Sequence, residues 1–321
     1  MKKNDKIYIA GHTGLVGSEV YKLFKTKGYK NLIIKNSKEL DLTNQLSVNK
    51  FFKKKNIDIV ILCAAKVGGI YANFTRPADF IYKNLMIQTN IINASFKYKC
   101  KKIIFLGSSC IYPRNARQPM KENYLLTGSL EPTNLAYAVA KISGLIMADS
   151  YNKQYKNKVD FRCLMPTNLY GNKDNYLNED SHVIPALIRK FHNAKIKNKK
   201  EIYLWGTGLS KREFLHSSDL ANAILLITQV SKKKYKKIVK NNFNFLNIGY
   251  GVDYSIADLA KKLKKIIGYQ GKIIFKNNKL LDGTPRKKLD IKLISKFGWK
   301  PKINLSKGLE MSYRYYVDNY T

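Results

Sequence analysis

The stretch Lys6–Gly28, KIYIAGHTGLVGSEVYKLFKTKG, decides the fold. It opens with a short β-rich apolar run, continues with glycines at positions 11, 14 and 17, and ends in apolar side chains spaced along one helical face. A strand, a glycine turn and a helix in this order are typical of the first βα unit of a dinucleotide-binding sheet.

The glycines follow a G-x-x-G-x-x-G spacing. Gly11 and Gly14 let the backbone turn tightly and approach a pyrophosphate, while Gly17 lets the helix pack closely against the strand. The helix N-terminus then presents free N–H groups and the positive end of its dipole to the anion. The loop residues predicted to contact a cofactor are Gly11, His12, Thr13, Gly14, Leu15, Val16 and Gly17.

Apolar strands and amphipathic helices alternate beyond this unit. Strands are predicted at NLIIK, IDIVILCAA, KKIIFLGSS and VDFRCLMP, with helices around 43–55 and 77–98 and over NLAYAVAKISGLIMADSYNKQY. Such alternation predicts an α/β fold with a doubly wound parallel Rossmann sheet. Near-continuous apolar strands fit a sheet that is covered on both faces.

After Pro166 the pattern loosens. TNLYGNKDNYLNEDSHVIP is polar and is predicted to be a long loop, whereas FNFLNIG resembles a further strand of the first sheet. We therefore predict two parts, a nucleotide-binding Rossmann domain and a smaller, discontinuous α/β substrate domain. Their predicted bounds are 1–165 plus about 212–250 for the first, and about 166–211 plus 251–321 for the second.

Lysine dominates the charge. Against 22 Asp and Glu, 59 Lys and Arg give a formal net charge of +37. Most of this charge lies in diffuse lysine runs, and arginine, the better reader of bases and phosphates, is sparse. We therefore expect solvated surfaces and no nucleic-acid partner, although a positive field attracts an anionic substrate.

The remaining composition bounds the environment. No apolar window reaches the length of a membrane span, and no secretory leader is evident, so no membrane partner and a cytoplasmic location are expected. The four cysteines, Cys63, Cys100, Cys110 and Cys163, lack metal-ligand spacing. We expect free thiols and no metal site.

The residues after the second strand bear on the choice of cofactor. An acidic residue there would bond the ribose 2′-hydroxyl of NAD. The segment IIKNSKEL instead places Lys35 and Lys38 near that point. These cations favour a 2′-phosphate, so NADP(H) is the predicted cofactor.

Two further features indicate a reductase. YAVAK places Tyr137 and Lys141 on one helical face, where an ammonium is expected to lower the pKa of the phenol. IFLGSSCIYP ends a buried strand at Leu106 and Gly107 and then presents Ser108. Ligands bind at the carboxyl ends of strands in such sheets, so these residues are expected at one site.

The combination resembles the extended short-chain dehydrogenase/reductase family. Within that family, AAKVGGI, PADFIYKN, LGSSCIYP, LEPTN, PTNLYG, SHVIPALI, REFLH and DGTPRK are similar to segments of the bifunctional epimerase-reductases of GDP-4-keto-6-deoxy-D-mannose. The resemblance implies a catalytic triad in which Ser108 orients a carbonyl and Tyr137 protonates it. Lys141 would tune Tyr137 and hold the nicotinamide ribose.

The same resemblance implies epimerisation at C3 and C5. It assigns Cys110 as the base and His182 as the acid on the opposite face of the sugar, followed by hydride transfer from NADPH to C4. Contacts to the cofactor are also expected from His182 and from PTNLYG, with the residues Pro166, Thr167, Asn168 and Leu169.

A GDP-sugar substrate needs a diphosphate clamp and a base site. Arg212 is the expected clamp, since a guanidinium forks onto phosphate oxygens. Trp205 is expected beside guanosine, Asp282 as an acceptor for guanine or sugar hydroxyls, and Arg189 and Lys190 as added charge. A homodimer through the helices near 77–98 and 134–155 is also expected from the resemblance.

The sequence departs from its relatives at Thr13 and Ser37, where arginines often contact the 2′-phosphate. Several alternatives remain open. A 4,6-dehydratase needs an acidic pair that SSCIYP lacks, and a simple 4-epimerase would leave Cys110 and His182 idle. An enzyme acting on a related nucleotide deoxysugar is a closer alternative, and an RNA-binding Rossmann protein is a distant one.

Overall fold

The computed structural model describes residues 1–156, 158–177, 180–276 and 282–321, so residues 178–179 of the predicted loop lie outside the described residues. The strands are β1 Ile7–Ala10, β2 Leu32–Ile33, β3 Ile59–Leu62, β4 Lys102–Leu106, β5 Asp160–Pro166, β6 Asn168–Tyr170, β7 Glu201–Trp205, β8 Lys211–His216, β9 Phe245–Ile248, β10 Asp253–Ser255, β11 Lys272–Lys276 and β12 Arg286–Lys287. The helices are α1 Leu15–Thr26, α2 Gln45–Lys55, α3 Ile70–Thr75, α4 Pro77–Lys97, α5 Leu135–Gln154, α6 Val183–Ile196, α7 Ser217–Gln229, α8 Lys232–Ile238, α9 Ile256–Ile267, α10 Lys292–Ser295 and α11 Leu305–Tyr320.

The main sheet has the strand order β2-β1-β3-β4-β5-β9, and every pairing in it is parallel. Helices α1, α7 and α10 pack on one face, and α2, α4 and α5 pack on the other. This is the predicted doubly wound sheet. The chain leaves β1 towards β2 and returns to β3 on the other side, which opens a crevice at the carboxyl ends of β1 and β3.

A second group of elements covers that crevice. Strand β8 pairs with β6, β10 and β12, and β7 pairs with β11. Behind them, α6, α9 and α11 form a separate hydrophobic core that includes Phe191, Leu263 and Leu309. These elements form the wall of the crevice opposite the main sheet.

Two local expectations differ from the structure. The segment predicted as one loop after Pro166 contains strand β6, because its residues pair with β8. The second strand is shorter than NLIIK, since only Leu32 and Ile33 pair with β1.

The predicted division into two parts stays a prediction, but two observations refine it. Within the predicted second part, Ile294, Phe297 and Trp299 pack in the core of the main sheet. Strand β8 begins at the predicted boundary yet belongs to the four-stranded sheet of the second group. The chain therefore returns to the main sheet at 294–299 and leaves it again for α11, which adds two crossings to those expected.

Candidate active site

A cleft of about 1640 Å³ lies between the main sheet and the second group of elements. Nearly all of the predicted site residues line it. They are Gly11, Thr13, Gly14, Leu15, Val16, Gly17, Lys35, Leu106, Gly107, Ser108, Cys110, Tyr137, Lys141, Pro166, Thr167, Asn168, Leu169, His182, Arg189, Lys190, Trp205, Arg212 and Asp282. His12 and Lys38 are placed outside this lining, and the ring Nδ1 of His12 is buried without a partner among the described atoms.

The glycine loop has the tight geometry that its spacing predicts. Gly11 has a φ of +84°, and a Cβ there would lie 2.7 Å from the amide nitrogen of Ala64. A Cβ on Gly17 would lie 2.1 Å from the Gly11 carbonyl oxygen. Helix α1 has no side-chain cap and no acidic residue in its first turn, so its free N–H groups face the cleft. This cradle fits a dinucleotide pyrophosphate.

The end of β2 holds a feature that the sequence interpretation left out. Lys35 forms an ion pair with Glu39, whose carboxylate also accepts from the N–H of Asn36. The hydrogen bonds from Lys35 and then Asn36 lower the pKa of Glu39. Lys35 still lines the cleft, whereas Glu39 does not. Lys35 therefore lines the cleft while its ammonium is paired with Glu39.

Ser108, Tyr137 and Lys141 meet at the carboxyl end of β4. Ser108 caps the short helical turn Ser109–Ile111 by accepting from the N–H of Cys110 at 3.2 Å. Lys141 Nζ donates to the Leu106 carbonyl at 2.8 Å and lies 5.8 Å from the centre of the Tyr137 ring. The serine, the phenol and the ammonium thus share one corner of the cleft.

Burial sets the protonation of this corner. It raises the pKa of Tyr137, and a hydrogen bond with Ser108 only partly opposes that effect. Burial also lowers the pKa of Lys141 to about 8. Burial therefore outweighs the lowering expected from the Lys141 ammonium, and the pKa of the phenol lies above its ordinary value. Tyr137 is a protonated phenol at neutral pH and is available as a proton donor.

Cys110 sits beside two nitrogen donors. Asn134 Nδ2 lies 3.4 Å from its Sγ and Lys287 Nζ lies 3.6 Å from it. Both partners line the same cleft as the phenol. The sulfur therefore has one amide and one ammonium within hydrogen-bonding distance.

His182 is the N-cap residue of α6 and lines the cleft. The buried carboxyl of Asp174 is near enough for the charge of His182 to oppose the effect of burial, which raises the pKa of Asp174. Asp174 Oδ2 has no hydrogen-bond partner among the described atoms. Asp180, two residues before His182, forms an ion pair with Arg76.

The far end of the cleft holds the predicted substrate contacts. Arg212 is buried, and its Nη2 donates to the main-chain carbonyl of Asp282 at 2.6 Å. Both carboxylate oxygens of Asp282 accept from Thr207, at 2.9 and 2.7 Å. The indole of Trp205 is 58% exposed and lies 6.3 Å from the Tyr71 ring, so it is an open platform and no core residue.

Arg189 and Lys190 are tied to main-chain carbonyls. Arg189 donates to the carbonyl of Leu177, and Lys190 Nζ donates to that of Tyr203 at 2.6 Å. Burial and then the like charges of its neighbours lower the pKa of Lys190. In the described part of the chain, no group of three or more His, Cys, Asp or Glu could hold a metal ion.

Sequence reasoning did not name four residues of this site: Asn134, Asp174, Tyr71 and Lys287. Asn134 and Lys287 lie inside the quoted motifs LEPTN and DGTPRK. The motifs mark these two positions as part of the resemblance but do not indicate what their side chains contact. Asp174 and Tyr71 stand in segments without a diagnostic pattern. Tyr71 lines the cleft and Asp174 lies buried near His182, and both positions follow from tertiary packing.

The glycine loop, the Tyr137 phenol and the Lys141 ammonium meet at one edge of a doubly wound sheet, and Cys110 lies in the same cleft. These features define the class of dinucleotide-dependent enzymes that act on sugar nucleotides. The chain belongs to the NAD dependent epimerase/dehydratase family, whose profile matches residues 7–244. The family assigned from the sequence motifs is therefore confirmed.

Relatives match over nearly the whole chain. A putative GDP-L-fucose synthase 2 from Arabidopsis thaliana is 47% identical over 99% of this chain and 94% of its own. The GDP-L-fucose synthase of Escherichia coli K12 is 45% identical, covering 98% and 97%. The solved structure of a GDP-mannoheptose C4 reductase from Campylobacter jejuni with NADP bound is 42% identical, with a TM-score of 0.89 and 99% of both chains covered.

No helix within the described ranges combines the length and apolar character needed to cross a bilayer.

Proposed function

We propose that this protein converts GDP-4-keto-6-deoxy-D-mannose to GDP-L-fucose. It would epimerise C3 and C5 and then reduce C4 with NADPH, the reaction of the GDP-L-fucose synthases to which it is similar. One observation carries the proposal. Cys110, flanked by Asn134 and Lys287, opens onto the same cleft as Tyr137 and Lys141. A simple reductase needs the phenol but no second base.

Epimerisation needs a proton removed from one face of the ring and another delivered to the opposite face. The C4 ketone acidifies the neighbouring C–H bonds, and the thiolate of Cys110 takes one of these protons. The electron pair moves to the ketone oxygen, where Ser108 and Tyr137 hold the negative charge by hydrogen bonds. His182 then donates a proton to the carbon from the other side.

Reduction uses the other corner of the same site. Bound NADPH supplies the hydride for C4. Tyr137 gives its proton to the developing alkoxide, and the Lys141 ammonium stabilises the phenolate that remains. The glycine loop, Lys35 and the segment Pro166–Leu169 would hold the cofactor. Cofactor contacts from His12 and Lys38 stay predictions, because neither residue lines the cleft.

The substrate would lie along the second group of elements. Arg212 would fork onto the diphosphate and Trp205 would stack on the guanine. Arg189 and Lys190 add positive charge beside them, and Asp282 keeps lone pairs for a sugar or guanine donor beyond its bonds to Thr207. Burial of the Arg212 guanidinium favours binding, because the negatively charged diphosphate would form charge-assisted hydrogen bonds with it.

A homodimer through α4 and α5 is part of the proposal. The two helices pack together, yet Tyr82 of α4 and Leu135, Val139 and Ile146 of α5 remain exposed. An apolar helix face of this kind is suited to a second copy. Light scattering at micromolar concentration should give twice the chain mass, and a monomer would contradict the dimer. A cytoplasmic location likewise stays a prediction.

The test is turnover in deuterated water with NADPH and GDP-4-keto-6-deoxy-D-mannose. We expect NADPH oxidation with deuterium at C3 and C5 of the product. Cys110→Ser should cut deuterium entry sharply, and Tyr137→Phe should block hydride transfer while exchange continues. A Cys110 variant that exchanged as fast as wild type would overturn the role of the thiol.

A second candidate is a C4 reductase of a related GDP-sugar. The 42% identity to the GDP-mannoheptose C4 reductase over the full chain favours it. The same assay separates the two, because a reductase would oxidise NADPH without placing deuterium on carbon. Product analysis by NMR reads both outcomes at once.

A further inference from the structure

Lys287 is fixed in the cleft by its neighbours. Strand β12 pairs with β8 so that Lys287 stands opposite Arg212. On its C-terminal side, the N–H of Leu289 donates to the buried carboxylate of Glu213 at 2.9 Å. Also on that side, the N–H of Lys288 donates to the side chain of Gln118 at 2.8 Å. The strand cannot shift without breaking these bonds.

The ammonium of Lys287 is buried and faces sulfur. The residue is 9% exposed and its Nζ lies 3.6 Å from Cys110 Sγ. Among the ion pairs of the described residues, none includes Lys287. A buried cation without an anionic partner is costly. A thiolate at Cys110 would supply the missing negative charge.

We infer that Lys287 is a positioning residue that keeps Cys110 in its thiolate form, ready to act as the base. This inference rests on the proposed function. Asn134 adds a neutral hydrogen bond to the same sulfur at 3.4 Å. Such a bond orients the thiolate but carries no charge, so most of the electrostatic stabilisation comes from the lysine.

Other groups around the sulfur do not replace Lys287. The charge of Cys110 also acts on Arg212 and on Tyr137. Arg212 donates to two main-chain carbonyls, lies close to Glu131, and is assigned to the diphosphate. Tyr137 is a neutral phenol at neutral pH. Lys287 is the neighbouring cation that bonds to the sulfur.

Cys110 and His182 together account for every proton transferred in one epimerisation. The thiolate takes the proton of the acidified C–H bond and becomes a thiol, while the C–H electron pair forms the enolate. Protonated His182 gives its proton to carbon and becomes neutral. The thiol then loses its proton to solvent and His182 gains one, which restores the thiolate beside the ammonium for the second centre.

The test is the pH profile of alkylation of Cys110 by iodoacetamide in the full chain without substrate, with Cys110→Ser as background. Lys287→Met should move the midpoint of the profile up by about 1 to 2 pH units and slow alkylation at pH 7 at least about tenfold. Lys287→Arg should restore much of the wild-type rate. Lys288→Met, one residue along and outside the cleft lining, is the matched control and should leave the profile in place.

An unchanged alkylation profile in Lys287→Met would overturn the inference. The same result in Lys287→Gln would do so if the Met variant failed to fold, as judged by circular dichroism. If Lys287 served only the diphosphate, KM would rise while alkylation kept its wild-type profile. Wild-type protein that incorporated no deuterium at C3 or C5 would overturn the proposed function instead, whatever the alkylation profile showed.

Discussion

Arg212 Nη2 donates to the carbonyl oxygen of Asp282 at 2.6 Å, while Nη1 donates to the carbonyl of Lys211 at 2.9 Å. Two main-chain acceptors therefore hold the plane of the guanidinium before any substrate arrives. Burial lowers the pKa of Arg212, but nearby negative charges oppose that effect, and an arginine remains charged throughout the physiological range. The guanidinium is therefore preorganised for the diphosphate that we propose it binds.

We expect Arg212→Lys to raise KM for the GDP-sugar about tenfold or more, because a point charge loses one charge-assisted hydrogen bond worth about 1.4 kcal/mol or more. The rate constant kcat should change less, since the residue contacts no reacting atom. Steady-state kinetics at saturating NADPH measure both. Lys211→Gln, on the exposed neighbour, is the control, and an unchanged KM in Arg212→Lys would contradict the clamp.

Gly17→Ala should destabilise the protein by more than about 2 kcal/mol, because the new Cβ would lie 2.1 Å from the Gly11 carbonyl oxygen. The helical preference of alanine, about 1 kcal/mol, cannot offset this overlap. Gly14→Ala is the matched control, since its Cβ would meet nothing nearer than 3.6 Å. Urea unfolding of both variants compares the free energies. Equal stability of the two would show that the loop adapts.

Lys35→Gln should reduce the preference for NADPH over NADH about tenfold, because a cation facing the 2′-phosphate is lost. The ratio of kcat/KM for the two cofactors is the measurement. Lys38→Gln provides the comparison, since the sequence predicts both lysines but only Lys35 lines the cleft. A larger loss of preference in Lys38→Gln would reverse this assignment.

The fold and the contents of the cleft were predictable from the sequence to different degrees. Glycine spacing and apolar strands determine the Rossmann sheet because each demands a specific backbone or a buried environment. Tyr137 and Lys141 follow from helical spacing. The partners of Cys110 do not, because Asn134 and Lys287 reach the sulfur from segments 24 and 177 residues away. The pairing of β12 with β8 and the bonds that follow it along the chain place that lysine.

The protonation of the site residues was also not predictable from the sequence, because it depends on burial, as Lys141 illustrates. Burial lowers its pKa to about 8, so the ammonium needed for reduction is lost as the pH rises through 8. We expect kcat/KM for NADPH oxidation to fall above about pH 8. Lys141→Arg should move that falling limb upward by more than one pH unit, because a guanidinium keeps its proton. An identical limb in both proteins would assign it to another group.

Glu122 allows the effect of burial on a carboxyl pKa to be tested outside the proposed active site. Burial raises the pKa of Glu122 to about 7, and the charge of Asp290 acts in the same direction. Its Oε1 accepts from the N–H of Asn247 at 3.1 Å. The folded pKa therefore exceeds the ordinary value of 4.5. The resulting contribution to stability is fully present below pH 4.5 and is lost as the pH rises through 7.

Glu122→Gln keeps the accepting oxygen but removes the titration. The variant should be more stable than wild type by up to about 3 kcal/mol at pH 8, since each pKa unit corresponds to 1.36 kcal/mol, and the two should converge near pH 4.5. Urea unfolding between pH 5 and 8 measures the difference. Glu310→Gln, an exposed glutamate of α11, should show no such trend. A constant difference between wild type and Glu122→Gln across this range would mean that Glu122 stays ionised in the folded protein.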